Sequence, residues 1–270
     1  MATVSKEILQ QLYASPEGSH KGQNGVLTII GGSRKYHGAP LLAIKSASRF
    51  ADLIYFHSPE KNNLDLLRFL KTHKCTFIAI ERRELEKTIE KSDCVLMGNG
   101  MEINGANRKM LNSVLAKFGD KKFVLDAGAL HMVEKKLLSP NICITPHVIE
   151  FNSLFNKPAN QKNVFEKAYE YKCVILLKHP EADIVTDGKE LFTNKTGNEG
   201  MTKGGTGDTL AGLVAAFGCK NPLFIAAKSA IFLNGFAGDL LKHERGTHFD
   251  ADDLADYFGI AFHKATGNKI

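Results

Sequence analysis

Short, almost wholly apolar runs alternate along this chain with longer segments of helical period. The runs "VLTII" (26–30), "LIYF" (53–56), "CTFIAI" (75–80), "CVLM" (94–97), "FVLD" (123–126), "ICIT" (142–145) and "CVILLK" (173–178) have the length and β-branched content of strands. Few of them alternate polar with apolar residues, so they suit strands covered on both faces rather than on one. Helix-like segments separate most of them, the first beginning near Pro40. That order predicts an α/β fold, a doubly wound and largely parallel sheet with helices on both faces. Beyond Gly207 the pattern changes, and residues 209–219, 223–242 and 251–265 read as helices with no strands between them. No linker, low-complexity run or internal repeat divides the chain, so residues 1–270 are read as one domain.

Ligands of such sheets sit beyond the carboxyl ends of the strands. The segments there are "GGSRKYHGAP" after 26–30, "GNGME" after 94–97, "DAGAL" after 123–125, "TPHVIE" after 142–144 and "KHPEAD" after 173–177. Each is small, polar or turn-forming, and their convergence marks one edge of the sheet as the site.

The stretch "NEGMTKGGTGDTLAG" (198–212) adds a glycine loop leading into a helix. Leu210, Leu213, Val214 and Phe217 fall at helical spacing and predict one buried face. Gly204, Gly205 and Gly207 allow positive φ and close approach of a ligand to backbone N–H groups at the positive end of the helix dipole, a fit for phosphate oxygens. The loop lacks the Lys-Ser/Thr ending of a Walker A motif and carries Asp208 there instead. Locally, two readings of Asp208 stand: a helix N-terminal acid favoured by the dipole, the commoner case, or a base towards the hydroxyl of a second substrate.

Composition changes this picture little. An apolar fraction of 43% with 24% charged residues is that of an ordinary globular chain. The net charge of +6 is mild and its lysines and arginines are scattered, which argues against a nucleic-acid partner but suits a cleft for phosphorylated metabolites. The five cysteines, Cys75, Cys94, Cys143, Cys173 and Cys219, form no CxxC pair and most lie in apolar runs, as reduced buried thiols do. The amino-terminal segment has no signal-peptide core and no uninterrupted apolar run approaches about 18 residues, so the expectation is a cytoplasmic protein with no membrane partner.

"GGTGDTLAG" resembles the GxGD signature of ribokinase-like small-molecule kinases. The blocks "HKGQNGVLTIIGGSRKYHGAPLLAIKSASR" (20–49), "VLDAGAL" (124–130), "ITPHVIEF" (144–151) and "NKTGNEGMTKGGTGDTLAG" (194–212) resemble, in the same order, those of the ADP/ATP-dependent NAD(P)H-hydrate dehydratases. The resemblance implies repair of the S epimer of hydrated NADH and NADPH: a nucleotide phosphorylates the hydroxyl on ring carbon 6, and phosphate then leaves. It implies Asp208 as the general base, with Ala39, Gly100, His147 and Asp208 lining the hydrate pocket. Lys178, His179, Pro180, Glu181, Ala182, Asn198, Gly205 and Gly207 would bind the nucleotide, ADP or ATP as co-substrate, with Mg2+; Glu150 is a candidate for organising that ion, or a helix-start carboxylate. Without the resemblance, Ala39-Pro40 reads as a helix start with Pro40 at its first position, Gly100 as a turn residue and His147 as structural.

The chain departs from the family pattern at several points. His179 and Ala182 replace a usual glycine and threonine, Ile149 a glycine, Glu199 a frequent proline, "GNGME" the commoner "GPGLG", and "FAD" (50–52) a glycine-rich turn. Asp126 is retained, either as structure or at the border of the pocket. The family also implies a homo-oligomer, a tetramer, and the length leaves no room for the epimerase domain that many members carry at the amino end. Two other functions compete: a hydroxyethylthiazole-kinase-like enzyme sharing the GxGD loop, and a non-catalytic nucleotide-binding protein.

Overall fold

The computed structural model describes residues 2–64 and 76–267. Its strands are β1 (Ala2–Thr3), β2 (Val26–Ile30), β3 (Leu53–His57), β4 (Ile78–Ala79), β5 (Cys94–Met97), β6 (Lys122–Leu125), β7 (Ile142–Ile144), β8 (Val174–Leu177), β9 (Asp183–Thr186) and β10 (Leu191–Asn194). They form one sheet in the order β1-β10-β9-β8-β7-β6-β5-β2-β3-β4. From β4 to β8 every pairing is parallel, and β9 runs antiparallel to both β8 and β10. Strand order reverses between β2 and β5, where a doubly wound sheet opens its crevice.

The unbroken apolar runs have a plain cause. Along each central strand the side chains alternate between two apolar cores. Leu27, Cys94, Leu96, Val124, Cys143, Val174 and Leu176 enter one. Ile30, Val95, Met97, Phe123, Leu125, Ile142, Ile144, Ile175 and Leu177 enter the other. With both faces dry, no polar alternation is left to read.

The first core is closed by α1 (Gly38–Ala47), α6 (Thr206–Lys220), α7 (Leu223–Arg245) and α8 (Ala251–Thr266). The second is closed by α2 (Leu85–Lys91), α3 (Gly105–Lys117), α4 (Val148–Phe155) and α5 (Gln161–Tyr171). The helices expected at 209–219, 223–242 and 251–265 are α6, α7 and α8 with slightly wider limits. Helix α6 begins three residues earlier than its apolar pattern, which puts Asp208 inside the first turn. Helix α1 begins at Gly38, so Pro40 is its third residue and not its first; no intrahelical partner is lost there, because first-turn N–H groups have none.

Three further differences from the sequence reading have physical reasons. Of the strand expected at 75–80 only Ile78–Ala79 pairs, and Cys75 lies outside the described residues. The β9–β10 hairpin was missed although "TDGKE" carries its Asp-Gly turn signal, with Gly188 at φ 81°. Helix α7 is, by length and composition, long and apolar enough to cross a membrane, yet 72% of its most apolar window is buried within the protein. Lys228 and Asn234 interrupt that helix, which is why no unbroken run announced it.

Helices α1 and α6 touch through a glycine. A Cβ on Gly212 would stand 2.4 Å from the Ala43 carbonyl oxygen and 2.2 Å from Ser46 Oγ. The Gly212→Ala substitution is expected to destabilise the fold by about 2–3 kcal/mol, because backbone must shift to admit the methyl. A urea titration checks it, the midpoint falling with little change in slope.

Candidate active site

Five strand ends and one helix start meet at the carboxyl edge of the sheet. The loop after β2 and the loop after β5 press together across the switch point, where Gly32 N donates to Asn99 O at 2.8 Å. A Cβ on Gly31 would lie 2.4 Å from that same oxygen. Gly98 (φ 122°) and Gly100 (φ 66°) flank Asn99, and both adopt backbone closed to ordinary residues. A Cβ on Gly98 would sit 1.9 Å from Asp126 O, and one on Gly100 2.3 Å from Tyr36 O and 3.1 Å from Ala39 Cβ. Ala39 and Gly100 are therefore neighbours, on one side of the edge.

The polar centre is a chain of charge-assisted bonds. Asp126, buried at the end of β6, accepts from Lys178 Nζ at 2.9 Å and Thr145 Oγ1 at 2.8 Å on Oδ1. Its Oδ2 accepts from Asn99 Nδ2 at 2.9 Å. The same Nδ2 donates to Asp208 Oδ1 at 2.7 Å. Asp208 thus turns away from the amides of its own helix and towards a residue 109 positions distant. Burial raises the pKa of Asp208 to about 6, and the Asp126 charge adds to this; the Asn99 bond and the Lys178 ammonium pull the other way, while Glu150 raises it further. Burial lowers the pKa of Lys178, but Asp126, Glu150 and Asp208 more than compensate and the net shift is upward, so it stays cationic.

The glycine loop presents open backbone donors. Gly205 (φ 96°) is the N-cap of α6 and offers no side-chain cap. Helices α3, α4, α5 and α8, by contrast, are capped by Asn104, His147, Asn160 and Asp250. Among the described residues no protein acceptor meets the N–H groups of Gly205, Gly207 or Asp208. A Cβ on Gly207 would lie 3.4 Å from Lys178 Nζ, so the ammonium stands beside the first turn of α6. Open donors, the helix dipole and a fixed cation fit a phosphate.

The remaining candidates occupy three places. His147 follows β7 beside Lys178, whose N–H donates to Pro146 O at 2.8 Å. Its exposed ring caps α4, Nδ1 accepting from Ile149 N at 3.1 Å and Glu150 N at 3.2 Å, while Glu150 Oε2 accepts from His147 N at 2.8 Å. Ile149 lies in the first turn of α4 with its side chain in solvent. The segment His179–Ala182 turns after β8, with His179 N donating to Asp183 Oδ1 at 3.0 Å. His179, Glu181 and Ala182 line a hollow of about 490 Å³ with Ala159–Lys162; Pro180 is exposed beside them. Asn198 is engaged elsewhere: its Nδ2 donates to Asp239 Oδ1 at 3.0 Å and its Oδ1 accepts from Gly200 N at 3.0 Å, bracing the turn that precedes the loop.

Asn99 and Thr145 are site residues that the sequence did not single out. The available signal was a polar residue between two glycines directly after an all-apolar strand. Among the described residues no group of three or more His, Cys, Asp or Glu could hold a metal ion.

Sequence comparison bears on what this edge does. The family model described as NAD(P)H-hydrate dehydratase matches residues 27–259. The chain belongs to the NAD(P)H-hydrate dehydratase family. It is 37% identical over 255 residues to the bifunctional NAD(P)H-hydrate repair enzyme Nnr of Methanocaldococcus jannaschii, covering 92% of this chain and 50% of that one. It is 35% identical over 256 residues to the ADP-dependent (S)-NAD(P)H-hydrate dehydratase of Nitrosopumilus maritimus, covering 87% of this chain and 88% of that one. The chain spans about half the length of the bifunctional relatives it matches. A ribokinase-like superfamily protein of Enterococcus faecalis superposes with a TM-score of 0.87 at 25% identity, covering 98% of this chain and 96% of that one. The dehydratase family and the ribokinase-like fold thus agree with the motifs at 20–49, 124–130, 144–151 and 194–212.

The raised pKa of Asp208 has a consequence for stability. Its proton is held more tightly in the folded than in the unfolded chain, so stability falls as pH rises from the ordinary carboxyl value of 3.8 through about 6. Asp208→Asn is expected to match the parent protein below that window and to exceed it above pH 6 by up to about 3 kcal/mol. Denaturant midpoints measured at pH 4 and pH 8 check the sign.

Proposed function

We propose that the chain is a nucleotide-dependent dehydratase acting on the S epimer of hydrated NADH or NADPH. The observation that carries this reading is Asp208, a carboxyl with a pKa near 6 at the mouth of an uncapped helix whose first turn, with its open amides, lies beside Lys178. A base poised close to neutral pH and an anion cradle within one turn are the two parts that phosphorylation of a hydroxyl needs.

The reaction follows from these parts. The terminal phosphate of ADP or ATP lies on the N–H groups of Gly205, Gly207 and Asp208, and Lys178 neutralises charge that develops on its oxygens. The hydrate's ring hydroxyl faces Asp208, which takes its proton as the oxygen attacks phosphorus and the shorter nucleotide departs. Hydroxide is a poor leaving group and phosphate a good one. The ring-nitrogen lone pair then expels phosphate, and loss of a proton from the neighbouring ring carbon restores the dihydropyridine. The balance is hydrate plus ATP giving NAD(P)H, ADP, phosphate and one proton, or the corresponding reaction from ADP to AMP.

The carboxylates fit Mg2+ only as a cation carried by the nucleotide. Asp126 is filled by three protein donors, and Glu150 is tied to His147 N. Bound to phosphate, the cation would offset charge that Lys178 alone leaves uncompensated. Ala39, Gly100 and His147 would bound the ring side of the cleft. His179, Glu181 and Ala182, around their hollow, together with Pro180, would bound the side away from the reacting phosphate. Asn198 would act through the turn it braces.

Hydrated NADH incubated with the protein, Mg2+ and either ADP or ATP is expected to regain dihydronicotinamide absorbance with release of one phosphate. Folded protein giving no recovery with either nucleotide overturns the proposal, and a stable phosphate ester from an alcohol acceptor would assign a kinase instead. Asp208→Asn is expected to retain nucleotide binding and lose at least about a hundredfold in kcat, as loss of a general base does. In the parent protein kcat/KM should rise with pH through about 6, the pH at which Asp208 ionises.

A further inference from the structure

Asn99 is fully buried, and its amide is used unequally. Both Nδ2 hydrogens are committed, one to Asp126 Oδ2 at 2.9 Å and one to Asp208 Oδ1 at 2.7 Å. Its Oδ1 is the one buried side-chain oxygen or nitrogen, among the described residues, with no hydrogen-bond partner. An unsatisfied buried acceptor is a sizeable loss, so the amide is retained here for its donors. The opposite orientation would turn Oδ1 onto two carboxylate oxygens, and the acids therefore decide which way the amide faces.

The backbone prevents the side chain from leaving. Asn99 sits between two positive-φ glycines, and its carbonyl is fastened to Gly32 N across the switch point. Asp126 is immobilised in turn by Lys178 and Thr145. The Asp208 carboxylate is consequently gripped by one oxygen from a rigid frame, and among the described residues no hydrogen bond engages the other.

We propose that Asn99 is a positioning residue of this site: its amide holds Asp208 by Oδ1 against Asp126 and so reserves Oδ2 as the atom that takes the proton from the substrate hydroxyl. The bond has a second effect. An N–H donated to a carboxylate favours the charged form, so Asn99 works with Lys178 against burial, Asp126 and Glu150, which all favour the neutral acid. Asn99 thereby sets how much of the base is ionised at neutral pH.

This inference rests on Asp208 being the base, but its decisive measurement needs no substrate. In Asn99→Leu, which removes both donors at similar volume, carbon NMR of the Asp208 carboxyl should show titration about one unit higher, a tenfold gain in proton affinity. The signal is assigned by its absence in Asp208→Asn. The acid limb of kcat/KM should move by the same amount, with the nucleotide KM unchanged. Asn99→Ser, which can reach at most one of the two acids, serves where the leucine variant does not fold. In the unaltered protein the Asn99 side-chain NH2 resonances should shift along the Asp208 titration. An unmoved Asp208 titration in either folded variant overturns the proposal, as does an Asn99 amide blind to that titration. A moved titration without hydrate turnover would instead leave this bond standing and remove the dehydratase reading.

Discussion

Two carboxylates cannot share the dry end of a parallel sheet unless donors stand between and around them. Asp126 and Asp208 meet that condition through Lys178, Thr145 and Asn99, and the remainder of the site is arranged about this one network. Its electrostatics are unsymmetrical. Asp126 is saturated with donors and serves as a fixed anchor, whereas Asp208 receives a single N–H and keeps a raised pKa. Three donors hold Asp126, whereas burial and the neighbouring Asp126 and Glu150 charges raise the proton affinity of Asp208 against its single N–H donor and the Lys178 ammonium.

The network is possible only because backbone approaches backbone so closely. Gly31, Gly98 and Gly100 bring the loops after β2 and β5 into van der Waals contact with each other and with the loop after β6. Helix α6 is held as firmly from below. Residues Thr209–Cys219 are all buried, Gly212 lies against α1, and Lys122 Nζ donates at 2.9 Å to the Gly218 and Asn221 carbonyls at its far end. A helix satisfied along its length and at its carboxyl end leaves its first-turn amides as the open donors, and that turn lies beside Lys178. Stability is spent at the same place: burying Asp208 raises its proton affinity and weakens the fold at neutral pH.

The sheet was legible in the sequence because burial on both faces writes strands as continuous apolar runs, and β2, β3, β5, β6, β7 and β8 were all read from them. The β9–β10 hairpin was not, since its four-residue strands mix polar with apolar side chains and the first begins with Asp183. The loops bearing the site were legible for a related reason: after an apolar strand only small or polar residues can turn the chain, so "GNG", "DAG", "TPH" and "KHP" stood out. Gly205, Gly207 and Asp208 were visible as a loop entering a helix, although local pattern favoured an ordinary helix-start acid.

What the sequence alone determined was therefore the layered fold, the edge of the sheet where the candidate site residues gather and, through ordered motif blocks, the family. Tertiary structure decided how those residues are paired. Asn99 lies 27 residues from Asp126 and 109 from Asp208, and no periodicity or spacing can disclose a bond across such intervals. Nor could sequence show that Asn198 is taken up by Asp239, or that Asp208 ignores its own helix. Hydrophobic pattern is a one-dimensional record of burial, and hydrogen-bond partners and pKa shifts arise only when distant segments are brought within a few ångströms in a medium of low polarity.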